Sequence, residues 1–286
     1  MSTAANDDTP FDPKTWFTEV CADAGSVVGW QIDAHLEHVE TEFQTIDVYR
    51  TRHWGNLMVI DGFVMLTTRD NFLYHEMLVH PALFGHPAPK RVAIIGGGDC
   101  GTLREVLGHA SVESAVQCEI DEQVTRLSEK HFPELCERND DPRAELVFDD
   151  GLAWIRNAGT GSLDVIIVDS TDPIGPAEGL FGPDFVADCH RALADGGILV
   201  QQSESPLIHQ HLIAGIRQNM ERAGFDTIRT LGFPQPCYPS GWWSATQARK
   251  GGVLAPPSAA RFTDSGIKTR YYNPDVHRGA LATQLP

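Results

Sequence analysis

The sequence predicts an α/β fold, with a mostly parallel, doubly wound sheet preceded by a small antiparallel β domain. Three observations predict it. Residues 27–66 alternate in polarity or break around a turn pair, as antiparallel strands do. From residue 89 onward, short unalternating apolar runs take turns with helical segments, the grammar of a parallel sheet covered on both faces. A Pro-rich joint, "GHPAPK", separates the two regions. The expected division is an N-terminal β-hairpin and β-sheet domain with a linking helix at 1–88, and the α/β domain at 89–286.

The first dozen residues are polar and are expected to fray. "EFQTIDVYRT" alternates as a strand, and "NLMVIDGFVML" is two apolar runs around Asp61-Gly62, a strong hairpin signal. "NFLYHEMLVHPALF" reads as a helix over 71–84. After the joint come the strand "RVAIIG", a glycine turn and a helix over 101–109. "VESAVQCEI" is a strand, followed by a helix over 121–131. "AELVFDD" is the third strand, with a short helix at "GLAWIRN". "LDVIIVD" is the fourth, followed by a helix over 183–193, and "GGILVQQSE" is the fifth. "PLIHQHLIAGIRQNMERAG" is an amphipathic helix. "FDTIRTLG" and "GWWSATQAR" close the sheet, the latter read as a terminal strand in the core or at a subunit contact.

The formal net charge is -17, from 39 acids against 22 Lys and Arg. Such a chain repels nucleic acid and anionic membranes and attracts small cations. Six cysteines occur without a CxxC pair, so no zinc site or disulfide framework is expected. The start has no basic and apolar leader pattern, and no apolar run approaches the ~20 residues of a membrane span. These features point to a cytoplasmic protein without a bound metal.

Gly96, Gly98 and Gly101 form a G-x-G-x-x-G turn between a strand and a helix. The pattern alone fits dinucleotide and nucleoside-sulfonium enzymes alike. Glu119, at the end of the next strand, is placed to hold ribose hydroxyls and does not separate the two. Asp99 does. A pyrophosphate in this turn needs backbone N–H groups, and a carboxylate there repels it. Asp150 and Asp169 end the third and fourth strands. The acids form a line along one sheet edge, suited to a positively charged adenosyl compound and poorly to NAD.

The opening of this line extends into "DSTDPIGPAE". Together with "YHEM", "IIGGGD", "LREV", "VQCEID", "YPSG" and "YYNPDVH", it resembles the spermidine synthase (putrescine aminopropyltransferase) family, in order along nearly the whole chain. The resemblance implies a methyltransferase-like Rossmann domain and a homodimer or homotetramer. It implies transfer of the aminopropyl group of decarboxylated S-adenosylmethionine, a co-substrate rather than a tightly bound cofactor, to putrescine. Spermidine and S-methyl-5'-thioadenosine would be the products. By position in the family, Gln44, Asp99, Glu119, Asp150, Gly151 and Pro176 would hold the donor. Trp16, His75, Asp99, Asp169, Ser170, Thr171, Asp172, Gln202 and Tyr238 would line the amine site, with Trp16 covering its far end. Asp169 would take the proton, with Tyr74 and Asp172 beside it.

The chemistry needs those carboxylates. Putrescine is a dication at neutral pH, and a protonated amine cannot attack. Freeing one amine of pKa near ~10 at pH 7 costs about 4 kcal/mol. Burial and the sulfonium charge lower that cost, and Asp169 accepts the proton. Asp172 would hold the distal ammonium, so the separation of the two acids would select the amine's length. Pro173, Gly175 and Pro176 suggest a stiff loop that closes over the site.

Other patterns are set aside. His75 and His80 in "HEMLVH" are five apart, not the four of a helical zinc pair. His35/His38 and His209/His211 lack evident further ligand partners and read as surface or structural. Cys100 stands where the family usually has glycine. It costs roughly 1–2 kcal/mol if that position needs positive φ, the milder reading being ordinary helical dihedrals. Contact of its sulfur with the donor is a further expectation. Three rival functions are a putrescine N-methyltransferase, a catalytically silent polyamine-binding protein and an NAD-dependent dehydrogenase. Asp99 beside Asp169 repels the carboxylate of ordinary S-adenosylmethionine and counts against the first. Retention of Tyr74, Gln202 and Tyr238 counts against the second, and Asp99 against the third.

Overall fold

A computed structural model describes residues 12–22, 24–173 and 175–282. The first sheet has five antiparallel strands in chain order, β1 (Trp16–Cys21), β2 (Ser26–Glu40), β3 (Thr45–Thr51), β4 (Asn56–Ile60) and β5 (Phe63–Thr67). β1 had no sequence signal of its own. It pairs with the first half of β2 over Trp16↔Gln31 to Cys21↔Ser26. The expected hairpin at Asp61-Gly62 joins β4 and β5, with both residues at positive φ (49° and 86°), as a tight hairpin turn demands.

Helix α1 (Asn71–Gly85) leads out of this sheet. It is apolar on nearly every face and is buried accordingly. Met77, Leu78, Ala82 and Leu83 pack with strands of the second sheet in one core cluster. By packing, α1 therefore goes with the second sheet, and we place the domain boundary before Asn71 rather than after residue 88. Glu76 on this helix accepts the backbone N–H groups of Arg270, Tyr271 and Tyr272 at 2.7–2.8 Å. That buried carboxylate ties down the "YYNPDVH" segment, which continues into α8 (Pro274–Ala282).

The remaining elements are β6 (Arg91–Gly96), α2 (Gly101–Leu107), β7 (Ser114–Glu119), α3 (Glu122–His131), β8 (Ala144–Phe148), α4 (Gly151–Asn157) and β9 (Leu163–Asp169). Then follow α5 (Pro183–Ala192), β10 (Leu193–Gln202), α6 (Gln210–Ala223), β11 (Thr227–Pro234), β12 (Trp242–Arg249) and α7 (Ala259–Ser265). The second sheet has seven strands in the order β11-β12-β10-β9-β6-β7-β8. β6 through β10 are parallel, and β12 runs antiparallel to both β10 and β11. The "GWWSATQAR" strand is thus inserted between two others and is not terminal. Its side chains are buried on both faces, with Ser244, Thr246 and Gln247 included.

Val165 to Val168 of β9 and Val92 to Ile95 of β6 are almost wholly buried. Each valine or isoleucine among them contributes about 1.5–3 kcal/mol of burial. The chain goes from β6 outward to β8, then crosses back to β9 on the other side of β6. The reversal leaves a crevice beyond the carboxyl ends of β6 and β9, where open α/β sheets bind ligands. Gly96 and Asp169 are register partners there.

Candidate active site

The glycine turn is built by close approach. A Cβ on Gly96 would lie 2.3 Å from the Asp169 carbonyl oxygen, and one on Gly101 would lie 2.2 Å from the His75 ring. Glycine at these two points lets β6 meet β9 and lets α2 meet α1. The turn carries Asp99 into the crevice. Its Oδ1 accepts the Gly101 N–H at 2.7 Å, and its Oδ2 lies 3.0 Å from His75 Nε2.

Asp169 ends β9 with both oxygens engaged. Tyr74 donates its hydroxyl to Oδ1 at 2.7 Å, and Thr102 donates to Oδ2 at 2.6 Å. Burial raises the pKa of Asp169, and the nearby Asp99 charge raises it further. Burial also presses upward on Asp99, but the His75 ring outweighs it and holds Asp99 below the usual carboxylate range. His75, in turn, is raised against its own burial by Asp99. The two acids thus have opposite tendencies within one crevice.

Glu119 is buried behind the turn. Its Oε2 accepts the Gly98 N–H at 3.1 Å and its Oε1 accepts the Asp121 N–H at 3.0 Å. Burial pushes it to about 7. Gln44 reaches in from the first sheet, its side-chain amide donating to Asp121 at 3.1 Å. Asp150 caps α4 by accepting the Leu152 N–H.

Two adjoining cavities meet at this point. The inner one, about 200 Å³, is lined by Gln44, Asp99, Glu119, Asp150, Gly151 and Asp169, with apolar walls from Met58, Ile60 and Leu180. The outer one, about 380 Å³, is lined by Glu19, Pro173, Gln202, Glu204 and His209, among others. Tyr74, Ser170, Thr171, Asp172 and Tyr238 line both. The structure therefore brings nearly all the expected residues to one elongated crevice. His75 stands behind Asp99 rather than on the wall. Tyr238 turns its hydroxyl to the Met65 carbonyl at 2.6 Å and presents its ring to the crevice. Trp16 opens β1 but is not among the lining residues, and Glu19, Val20, Cys21 and Ala22 form that wall. The side chain of Pro176 lies outside the described residues, while the stretch Gly175–Phe181 forms a 3₁₀ turn.

Sequence reasoning missed Thr102, Glu19, Glu204 and His209. Burial, followed by the nearby Glu204 charge, pushes Asp172 to about 8. Burial pushes Glu19 to about 7. His209 Nδ1 lies 3.1 Å from Glu204, so it belongs to the outer cavity and does have a partner. The milder reading of Cys100 fails as well. Its φ is 67°, so the turn needs a left-handed residue there. Its sulfur is buried against the Gly98 carbonyl and the Gln117 amide, not in either cavity.

His75, Asp99 and Asp169 place their donor atoms within 4.8 Å of one another, a grouping that also suits a metal ion. Each carboxylate is already satisfied by protein donors, and the crevice continues into further carboxyl groups that fit an extended cation.

The family description "Spermine/spermidine synthase domain" matches residues 71–254, and "Spermidine synthase tetramerisation domain" matches residues 15–68. The chain belongs to the spermine/spermidine synthase family. It is 57% identical over 272 residues to the polyamine aminopropyltransferase of Stenotrophomonas maltophilia (strain R551-3), covering 95% of this chain and 96% of the relative. It is 59% identical over 269 residues to that of Xanthomonas campestris pv. campestris (strain B100), covering 93% and 94%. A solved spermidine synthase in complex with the transition state analogue AdoDATO superposes with a TM-score of 0.90 at 34% identity, covering 94% and 92%. The spermidine synthase of Thermotoga maritima superposes with a TM-score of 0.88 at 34% identity, covering 94% and 91%. The expected α/β architecture and the expected transferase class both hold for this family member. The match to a tetramerisation domain supports an oligomer. No helix among the described residues is long and apolar enough to cross a membrane.

Proposed function

We propose that this family member is a spermidine synthase. It transfers the aminopropyl group of decarboxylated S-adenosylmethionine to putrescine. The carrying observation is the crevice with Asp99 and Asp169 at its centre and Asp172 farther out. Under this reading the inner cavity holds the adenosyl part. Glu119 accepts from the ribose hydroxyls, and Asp150 accepts from the adenine amino group. Asp99, kept ionised by His75, holds the ammonium of the aminopropyl chain.

Putrescine lies across the shared wall. Its distal ammonium meets Asp172, and its near amine points at Asp169. The amine nitrogen attacks the methylene beside the sulfonium. A nitrogen–carbon bond forms as the carbon–sulfur bond breaks, and the electron pair stays on sulfur in methylthioadenosine. The proton leaving the nitrogen goes to Asp169, whose raised pKa suits acceptance. Tyr74 and Thr102 hold that carboxylate in place, and orientation supplies several kcal/mol of the barrier.

Ordinary S-adenosylmethionine would bring its own carboxylate against Asp99, a like-charge contact in a poorly solvated site. The reading needs no metal. The free thiols of all six cysteines suit a reducing cytoplasm, and the N-terminal sheet suits a homotetramer or homodimer. The test is mass-spectrometric product analysis with each donor against a panel of amines. Spermidine and methylthioadenosine from the decarboxylated donor support the reading. Methylated putrescine from the ordinary donor would overturn it.

A further inference from the structure

A second cluster of ligand-type side chains lies on the first sheet, and none of its members lines the crevice. It is built by a β-bulge. In the pairing of β2 with β3, His35 faces Tyr49, Glu37 faces Val48 and His38 faces Asp47, so Leu36 is an extra residue. Residues three apart on a regular strand point to opposite faces. The bulge turns His35 and His38 to one face, the face of Asp47 and Tyr49. Glu37 goes to the other side, where it pairs with Lys130 and His131 of α3.

The donor atoms converge on one point. His35 Nε2 lies 2.7 Å and His38 Nδ1 2.8 Å from the same oxygen, Asp47 Oδ1. The His35 ring stacks on Tyr49 with centroids 4.4 Å apart at 19°, which fixes its direction. The other nitrogen of His38 faces Glu40 at 3.7 Å. A carboxylate behind the second ring nitrogen is the usual support of a metal-bound imidazole.

We propose that His35, His38 and Asp47 form a binding site for a divalent first-row transition metal on the β2–β3 face. In a tetrahedral zinc site, with metal–ligand bonds near 2.0 Å, neighbouring donors stand about 3.3 Å apart. The cluster needs to open by only about half an ångström to reach that spacing. The imidazoles are 44% and 51% exposed in the single chain, which leaves room for that shift. Imidazole with carboxylate favours zinc, cobalt, nickel or copper over magnesium and calcium. Water completes the coordination on the solvent side.

Calorimetric titration of the intact protein with Zn²⁺ tests this, beside a His35→Asn/His38→Asn double variant. Wild type is expected to take about one equivalent, unchanged when the crevice is saturated with spermidine. The double variant is expected to bind at least about 100-fold more weakly while keeping the wild-type far-ultraviolet spectrum. Absence of saturable binding in the wild type, equal binding in the double variant, or displacement of zinc by spermidine would each overturn the proposal. The last would place the ion at His75, Asp99 and Asp169.

Discussion

Asp99 and Asp169 line the same crevice and are driven in opposite directions. His75 holds Asp99 below the ordinary carboxylate range against burial, while burial and the Asp99 charge itself raise Asp169. Two carboxylates pushed apart in this way divide acid–base labour. Under the proposed function, Asp99 is the standing anion for a cationic chain, and Asp169 is the group ready for a proton.

Under the proposed function, Glu119 acts on the donor rather than on the amine. It accepts N–H groups from Gly98 and Asp121 with separate oxygens. In Glu119→Gln one of these acceptors becomes a donor, and the turn loses a hydrogen bond worth about 1.5–3 kcal/mol. The donor KM is expected to rise roughly 10- to 100-fold, with the putrescine KM nearly unchanged. Steady-state kinetics in both substrates would show it. An equal rise in both would contradict the assignment.

Amine binding should release a proton. At neutral pH the Asp172–Glu204 pair holds one, because burial and mutual repulsion push Asp172 to about 8. An ammonium selects the carboxylate and expels the proton. Calorimetry of spermidine binding in buffers of different ionisation heat should find about one proton released at pH 7, fading above about pH 9. Asp172→Asn should abolish the release. Release that persists in this variant would move the titrating group elsewhere.

The same groups set the pH dependence of stability without ligand. Glu119 and Glu19 at about 7, and Asp172 at about 8, all lie above the ordinary carboxylate range. A raised folded-state pKa stabilises below the unfolded value, and that contribution is lost as pH rises through the folded one. Glu105 has the opposite sign. Burial presses it upward, but bonds to His80 and Arg104 hold it at about 2. Its contribution is present above about pH 4.5 and lost as pH falls toward 2. The ligand-free melting temperature should therefore peak near about pH 4–5 and fall as pH rises toward about 8. The fall should be shallower in Asp172→Asn. Differential scanning calorimetry across that range decides it, and a melting temperature rising from pH 6 to 9 would contradict it.

Cys100 holds a left-handed backbone at φ 67° while burying its thiol. Cys100→Gly relieves strain of about 1–2 kcal/mol but removes the packed sulfur, so stability should stay within about 1 kcal/mol of wild type. Cys100→Val adds β-branching at positive φ and should lose more than about 2 kcal/mol. Denaturant unfolding of both variants measures this directly. A stable Val variant would mean that the turn relaxes easily.

Much of this architecture was readable in one dimension because its signals are local. The runs "RVAIIG" and "LDVIIVD" are strands by composition alone, and the acids at their ends follow in sequence. The turn pair Asp61-Gly62 announces its own hairpin. What stayed hidden depends on distant partners. Glu19 bonds the Val64 N–H across the first sheet, and Glu76 bonds a segment nearly two hundred residues away. Thr102 looks like any first-turn threonine until β9 brings Asp169 to it. The insertion of β12 between β10 and β11 leaves no local mark, because it depends on the pairing of β12 with β10 rather than on any residue of β12 itself. The His35/His38 cluster was hidden by the bulge, since regular alternation assigns the two rings to opposite faces.

The most direct measurement is the rate of spermidine formation in Asp169→Asn, with decarboxylated S-adenosylmethionine and putrescine saturating. Asparagine keeps the shape and the Tyr74 and Thr102 contacts in part, but it cannot take the proton. The account predicts a fall in kcat of about 10²- to 10⁴-fold, with donor binding within a few-fold of wild type. A variant within about tenfold of the wild-type rate would contradict the role of Asp169 as proton acceptor.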